Sequence, residues 1–334
     1  MEEVKEIVTD IKKRHIKPVY FLMGAEPYYI DKIAGFIEEE VLTEEEKGFN
    51  QVVLYGRDVS IEDIIAQAKR YPMMAERQVV IVKEAQELSR TIENLTSYVE
   101  NPQPTTVLVL CYKYKTLDKR KKLYKALLKD GVLYESKKLY ENQVAEWIKR
   151  VLAGSNYTIS YKASQMLAAF LGTDLTKINN ELEKLQLVLP PGSEITPEAI
   201  EENIGISKDY NNFELRKAIG EKDRLKATRI VLHFAQNPKD NPLTVTLGLL
   251  HNFFSQLLQY HGLQDHSAKN VASRLGINPY FVSEYQTAAR HYPMKKAARI
   301  VAYLRETDVK SKGVGANALP QGELLKELLV NIMD

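Results

Sequence analysis

The first residues with the types needed for chemistry lie where an apolar run turns into a helix. Residues 18–23 (PVYFLM) lead into Gly24, Ala25 and Glu26, and a helical pattern follows. In nucleotide-binding α/β proteins this junction holds phosphates, and a P-loop there carries G-x-x-x-x-G-K-S/T to supply backbone N–H groups, a lysine and a hydroxyl for Mg²⁺. This junction has one glycine, no G-K-S/T run, and a Glu26 carboxylate that would repel phosphate. It predicts a glycine turn and no nucleotide cofactor.

A second element of an ATPase is also missing from the sequence. A working enzyme ends a strand in Asp-Glu, which holds Mg²⁺ and polarises the attacking water. The corresponding run, residues 106–111 (TVLVLC), continues into Tyr112, Lys113, Tyr114 and Lys115. Lysines cannot coordinate Mg²⁺. Two independent defects predict a chain that is built like an ATPase and has no catalysis of its own.

Metal and nucleophile signatures are absent as well. The histidines have no H-E-x-x-H or comparable ligand spacing, and no G-x-S-x-G elbow marks a catalytic serine. The lone cysteine, Cys111, excludes a disulfide within the chain and a Cys-based metal site. The histidines are His15, His233, His251, His261, His266 and His291. We expect no catalytic residue and no metal.

A loop between the second helical pattern and the third strand carries two consecutive methionines. Pro72 ends the helix at or before Tyr71, so Met73 and Met74 project from a segment where polar residues are usual. Long, flexible thioethers suit an adaptable contact with a hydrophobic pocket on a partner. The alternative is that both methionines tuck back beneath the sheet as core. Composition leaves the two interpretations open.

A basic stretch with interleaved tyrosines spans residues 113–125. It holds seven Lys or Arg residues against one acid, Asp118. This mixture is typical of surfaces that follow a nucleic-acid backbone. The alternative is a solvated helix, because four residues of the stretch fit one helical face: Leu117, Lys121, Tyr124 and Leu128.

Residues 272–282 (ASRLGINPYFV) have the rhythm of a helix-turn-helix, with a small residue, a Leu-Gly turn and a second helix. The second helix, residues 280–291, offers only Arg290 as a cation for reading bases. A structural helical hairpin is favoured over a DNA-reading one.

Composition indicates a globular protein of two or three domains. The chain has 334 residues, of which 44% are hydrophobic and 27% charged, with a net charge of +2. No apolar run approaches the roughly 18 residues of a membrane helix, and residues 1–5 (MEEVK) do not resemble the start of a signal peptide. We expect a cytoplasmic protein with no membrane partner.

The elements divide into an α/β part and an all-α part. Strand patterns at 19–23, 52–55, 78–82, 106–111 and 132–135 alternate with helical ones, which predicts a parallel sheet with crossover helices. Tyr29, Ile33, Phe36 and Ile37 share one predicted helical face, and Ser60 and Asp63 form a predicted helix cap. After Leu139 strand-length runs stop. A small helical domain is expected over 141–207, and helices alone from Asp209 onward.

Taken in order, these segments resemble the delta subunit family of the bacterial DNA polymerase III clamp loader. Each segment alone is weak, and their order and spacing together are specific. The matching segments are residues 18–30 (PVYFLMGAEPYYI), 49–50 (FN), 55–58 (YGRD), 72–80 (PMMAERQVV), 117–124 (LDKRKKLY), 172–185 (GTDLTKINNELEKL) and 212–215 (NFEL).

The resemblance implies an AAA+-like fold of three domains. These are an α/β module without ATPase motifs over 1–140, a small helical lid over 141–207 and a helical collar that oligomerises over 208–334. It further implies that Met73 and Met74 contact the ring-shaped β sliding clamp, with Tyr71 and Pro72 beside them. Some relatives carry Leu-Phe in place of the two methionines.

The resemblance also implies partners. These are the β clamp, the ATPase subunits gamma/tau and delta-prime, and primer-template DNA held without sequence preference inside the assembly. Lys119, Arg120 and Lys122 are the candidate DNA-backbone contacts if the basic stretch faces inward. Three alternatives stay open. They are an ATPase or kinase with an unusual phosphate loop, a helix-turn-helix DNA-binding protein, and a delta-prime-like subunit, although the zinc-type cysteines and the Ser-Arg-Cys run of that family are missing here.

Overall fold

The computed structural model describes residues 2–314 and 319–334, apart from the side chain of Glu141. The chain forms two compact units, one ending at Leu139 and the other beginning at Tyr140. The second unit is not divided further at residue 207, so the boundary between lid and collar stays a prediction.

The first unit is built on a five-stranded, all-parallel sheet with the order β2-β3-β4-β1-β5. The strands are β1 (Val19–Gly24), β2 (Gln51–Tyr55), β3 (Gln78–Lys83), β4 (Thr106–Lys113) and β5 (Val132–Ser136). The helices are α1 (Glu2–Lys12), α2 (Pro27–Glu40), α3 (Glu44–Asn50), α4 (Ile61–Ala68), α5 (Thr96–Val99) and α6 (Lys122–Asp130), with short 3-10 turns at Ala85–Leu88 and Ile92–Leu95.

The central strands are apolar along their whole length because helices cover both faces of the sheet. Every residue of β1 is buried, as is all of β4 except Lys113. One face packs against α4, α5 and α6 around Phe21, Leu110 and Leu127. The predicted parallel sheet is therefore confirmed.

Three details of the first unit differ from the sequence predictions. β4 runs on to Lys113, which pairs in register with Gly24. The helices α1 and α3 were not predicted. On α2 the buried face includes Ile30, whereas Phe36 is half-buried and lies under the ammonium group of Lys12. The predicted cap of α4 is present, since Ser60 and Asp63 exchange side-chain and backbone hydrogen bonds.

The second unit is almost entirely helical. Its helices are α7 (Glu141–Ala153), α8 (Tyr161–Leu171), α9 (Leu175–Val188), α10 (Pro197–Ile204), α11 (Asn212–Gly220), α12 (Arg224–Gln236), α13 (Leu243–His261), α14 (Ala268–Leu275), α15 (Val282–His291), α16 (Met294–Ser311) and α17 (Gln321–Met333), with one 3-10 turn at Pro279–Phe281. The expectation that strands stop after Leu139 is wrong in one detail. Two-residue strands, β6 (Thr158–Ile159) and β7 (Glu194–Ile195), pair in parallel.

The helix-turn-helix segment is part of the core of the second unit. Gly276 takes φ +65° and reverses the chain between α14 and α15. Val271, Phe281 and Tyr285 are buried in the cluster that also holds the apolar stripe of α13. The hairpin thus has a packing role in the fold.

Candidate functional site

The strand–helix junction after β1 is closed by the end of β5. Gly24 has φ +125°, and a Cβ atom there would lie 2.1 Å from the carbonyl oxygen of Ser136. The N–H of Ala25 donates to that oxygen at 3.1 Å, and the N–H of Glu26 donates to Ser136 Oγ at 3.1 Å. Backbone donors that a P-loop would turn toward phosphate are therefore bonded within the protein.

The chain's own carboxylate occupies the start of α2. Glu26 is buried, and its side chain accepts a hydrogen bond from the N–H of Tyr28 at 3.1 Å. A helix N-terminus attracts anions because its N–H groups lack partners and its dipole is positive. Pro27 at the first helical position leaves one donor fewer. The anion at this helix terminus is a glutamate.

The end of β4 carries a paired cation where an ATPase has a carboxylate. Lys113 Nζ lies 2.8 Å from Asp31 Oδ1 and 2.9 Å from Glu84 Oε1. Burial acts to lower the pKa of Lys113, but these two carboxylates outweigh it and raise the pKa above its usual value. The hydrogen bond from Lys113 lowers the pKa of Glu84. The cluster is a closed ion network.

The methionine loop, residues 71–77, connects the end of α4 to the start of β3. It therefore lies at the amino-terminal ends of the parallel strands, whereas the junction after β1 lies at their carboxyl-terminal ends. Its backbone is tied to Asn50, the last residue of α3. Asn50 Oδ1 accepts from the N–H of Met73 at 2.6 Å, and Asn50 Nδ2 donates to the carbonyl oxygen of Met73 at 2.9 Å. Asn50 itself is buried.

A second buried amide fixes the chain on either side of the loop. Gln78 Nε2 donates to the carbonyl oxygen of Arg70, the residue before the loop, and to Thr106 Oγ1 at 2.7 Å. Thr106 Oγ1 in turn donates to the carbonyl oxygen of Ala68 at 2.7 Å, at the last residue of α4. The two ends of the loop are thereby held against the sheet.

The loop's side chains face solvent. Tyr71 is 78% exposed, Met73 63% exposed and Met74 fully exposed, while Pro72 is half-buried. Met74 has φ +54°, a left-handed conformation that is strained for a residue with a side chain. The alternative in which both methionines pack beneath the sheet is wrong.

Phe49 and Asn50 precede β2, and they form one of the matching segments, to which the sequence assigns no role. Phe49 is 75% exposed and directly precedes the asparagine that holds Met73. Its signal in the sequence was a single aromatic residue within the otherwise polar run of residues 44–50 (EEEKGFN).

The basic stretch is not a single helical face. Leu117 is buried and Leu128 is exposed, and α6 begins only at Lys122. The helical prediction for 117–128 is wrong because Asp118 accepts the backbone N–H of Arg120 and its guanidinium group, forming a turn before the helix.

Two of the three candidate DNA contacts have acidic neighbours. Arg120 pairs with Asp118 at 2.8 Å and lowers its pKa, and Lys119 Nζ lies 3.9 Å from Glu135. Lys122 is exposed and forms no ion pair within residues 2–314 and 319–334. The same holds for Lys121 and Lys125 near the start of α6. Lys115 contacts only neutral oxygens, the carbonyl of Gln86 and the hydroxyl of Ser89.

The described residues offer neither a metal site nor a membrane span. Over that part of the chain, no group of three or more His, Cys, Asp or Glu side chains is arranged to hold a metal ion. No helix there is long and apolar enough to span a membrane.

Two known protein families match this chain, one in each of its two units. The family described as DNA polymerase III, delta subunit matches residues 20–137, and the family described as DNA polymerase III delta subunit, C-terminal domain matches residues 209–328. The DNA polymerase III subunit delta of Bacillus subtilis is 28% identical over 320 residues, covering 92% of each chain.

A solved structure covers the whole chain. The Bacillus subtilis DNA clamp loader delta protein is 26% identical, covers 99% of each chain and superposes with a TM-score of 0.59. This similarity confirms the AAA+-like prediction of a parallel α/β module followed by a helical part. Because the two family matches and both relatives agree along nearly the full sequence, the chain belongs to the DNA polymerase III delta subunit family.

Proposed function

We propose that this chain binds the ring-shaped β sliding clamp through the methionine loop and holds one interface of the ring open for loading onto primed DNA. The observation that carries the proposal is the exposure of Met73 and Met74 on a loop whose backbone is fixed by Asn50. Exposed apolar side chains on an ordered backbone are typical of a docking surface.

The size of the contact is adequate for an anchor. Burying two methionine side chains in a pocket contributes about 3–6 kcal/mol before ordering costs. Tyr71 and Pro72 directly precede the two methionines, and Phe49, which is exposed, directly precedes the Asn50 that holds Met73. A few such residues usually supply most of the binding energy of an interface, with the surrounding contacts excluding water.

The chain itself acts without catalysis or cofactor in this proposal. Glu26 fills the helix terminus where phosphate would bind, and Lys113 is locked between Asp31 and Glu84. ATP is bound by the gamma/tau subunits, and ring opening uses the binding energy of the loop. The complex, which also includes delta-prime, works on DNA in the cytoplasm.

The chain has three domains in this proposal. Residues 1–140 form the AAA+-like module with the methionine loop, 141–207 the lid, and 208–334 the collar through which the loader assembles. Lys119, Arg120 and Lys122 face primer-template DNA inside the assembly and contact its phosphates without sequence preference.

Equilibrium binding of the full chain to the purified sliding clamp tests the proposal. The variant Met73→Ala with Met74→Ala is compared with Leu187→Ala with Val188→Ala, which removes two exposed apolar side chains from α9. We expect the first pair to weaken clamp affinity at least about 30-fold, since each truncated anchor costs on the order of 1–3 kcal/mol. The second pair keeps wild-type affinity. Wild-type affinity in the methionine variant contradicts the assignment of the loop.

A further inference from the structure

The carboxamide of Asn50 pairs with both polar groups of one loop residue. Its Oδ1 accepts from the N–H of Met73 at 2.6 Å, and its Nδ2 donates to the carbonyl oxygen of the same residue at 2.9 Å. Nδ2 also donates to the carbonyl oxygen of Glu46 at 3.1 Å, within α3. Only an amide side chain in this orientation donates to two carbonyls and accepts from one N–H group.

This pairing is the main attachment of the loop. In the part of the chain that the structure describes, the backbone of residues 71–77 makes no other hydrogen bond. Asn50 is itself held firmly, because it is 3% exposed and Gln51, the next residue, begins β2 in the sheet. The loop is therefore tied to a rigid element at one residue.

The attachment point immediately precedes the strained residue. Met74 keeps φ +54°, and such a conformation persists only where the surrounding structure fixes it. With Met73 held at both its N–H and its carbonyl group, the chain leaves the attachment in one direction and Met74 extends into solvent. A loop ordered before binding loses less conformational entropy when the partner arrives.

We infer that Asn50 is a positioning residue for partner binding, which keeps the methionine loop in its binding conformation without touching the partner through its own buried side chain. The inference rests on the proposed binding of the sliding clamp by Met73 and Met74. It adds a residue 23 positions earlier in the sequence, on a different element, whose effect acts through the loop backbone.

The variant Asn50→Ala tests the inference against a matched control. Asn211→Ala removes another buried asparagine with two bonds to the backbone, from Glu214 N–H at 3.0 Å and to the Ser207 carbonyl at 2.8 Å, in the second unit. Removing the two hydrogen bonds from Asn50 to Met73 raises the Kd for the sliding clamp about tenfold. Asn211→Ala lowers the free energy of unfolding by a similar amount and leaves the Kd unchanged. Asn50→Asp keeps the shape but lacks the donor, and it also weakens binding.

Limited trypsin digestion supplies a readout that is independent of clamp binding. Arg70 directly precedes the loop and Arg77 is its last residue, and Asn50→Ala speeds cleavage at these two sites while Asn211→Ala does not. Asn50→Ala adds less to the Kd in a Met74→Ala background than in the wild type, because both act through one contact.

The outcomes separate the two proposals. Wild-type Kd and wild-type cleavage in Asn50→Ala and Asn50→Asp overturn the positioning role, and loss of binding in the Met73→Ala with Met74→Ala variant still supports the proposed function. Wild-type affinity in the methionine variant overturns the proposed function, and the role of Asn50 in clamp binding with it.

Discussion

The junction after β1 and the methionine loop lie at opposite ends of the strands of one parallel sheet. The backbone polar groups of both are bonded within the protein, and the two regions differ in the side chains that they expose. At the junction, Ser136 and Glu26 accept hydrogen bonds from the backbone N–H groups of Ala25, Glu26 and Tyr28. At the loop, Asn50 satisfies the backbone of Met73 while the apolar side chains stay in solvent. The junction has its backbone donors bonded within the protein, and the loop exposes two apolar side chains, Met73 and Met74.

The closed junction gives the largest expected effect on stability. Gly24→Ala forces a side chain into φ +125° and against the Ser136 carbonyl, so we expect a loss of about 3–5 kcal/mol in the free energy of unfolding. Denaturant unfolding measures it. The control Gly172→Ala has φ +68° and no atom within 4 Å, so it loses only about 1 kcal/mol. Equal losses would mean that the junction is open.

The basic stretch, residues 113–125, is a third region with a predicted partner, and two of its candidate DNA contacts are paired with carboxylates. Lys119→Glu with Arg120→Glu and Lys122→Glu is expected to reduce clamp loading on primed DNA and to leave clamp binding unchanged. The slope of DNA affinity against salt concentration falls by about one unit for each phosphate that the variant no longer neutralises. Because Arg120 already pairs with Asp118, we expect the slope to fall by less than the number of substituted cations.

The matched control for this triple variant changes three exposed cations of the second unit to Glu: Lys269, Arg274 and Lys295. Wild-type clamp loading on primed DNA in the basic-stretch variant would show that the stretch is solvent-exposed and has no role in loading. A loss of DNA binding in the control alone would favour the helix-turn-helix alternative.

The ion network at Lys113 gives the smallest expected effect. The pKa of Glu84 is lowered from 4.5, so its ionised form stabilises the fold above that pH, and this contribution disappears as the pH falls through the lowered value. Glu84→Gln should therefore be less stable than wild type at pH 7, with the difference shrinking below about pH 4.5. Urea unfolding across this range measures it.

Much of the fold could be predicted from local patterns, and the misses have physical reasons. The strands are continuous apolar runs, as buried parallel strands must be, and the Ser60 cap has a fixed spacing. The helix α3 has no apolar period in EEEKGFN, and β6 and β7 have two residues each, too few for a pattern.

The candidate site was predictable in residue type but not in geometry. The sequence pointed to Met73 and Met74, but the hydrogen bonds to the backbone of Met73 come from Asn50, 23 residues earlier. The closure of the junction depends on Ser136, more than a hundred residues after Gly24. Interactions at such separations leave no periodic signal, so they emerge only from the folded chain.

Methionine oxidation tests the central claim most directly, because the chain carries its own controls. Hydrogen peroxide converts exposed methionines to sulfoxides, and peptide mass spectrometry follows each site. Met73 and Met74 are exposed, Met294 is 49% exposed in the second unit, and Met23 and Met166 are buried. We predict that saturating sliding clamp protects Met73 and Met74 while Met294 reacts at the rate of the free chain. Unchanged oxidation of Met73 and Met74 in the saturated complex would contradict the account.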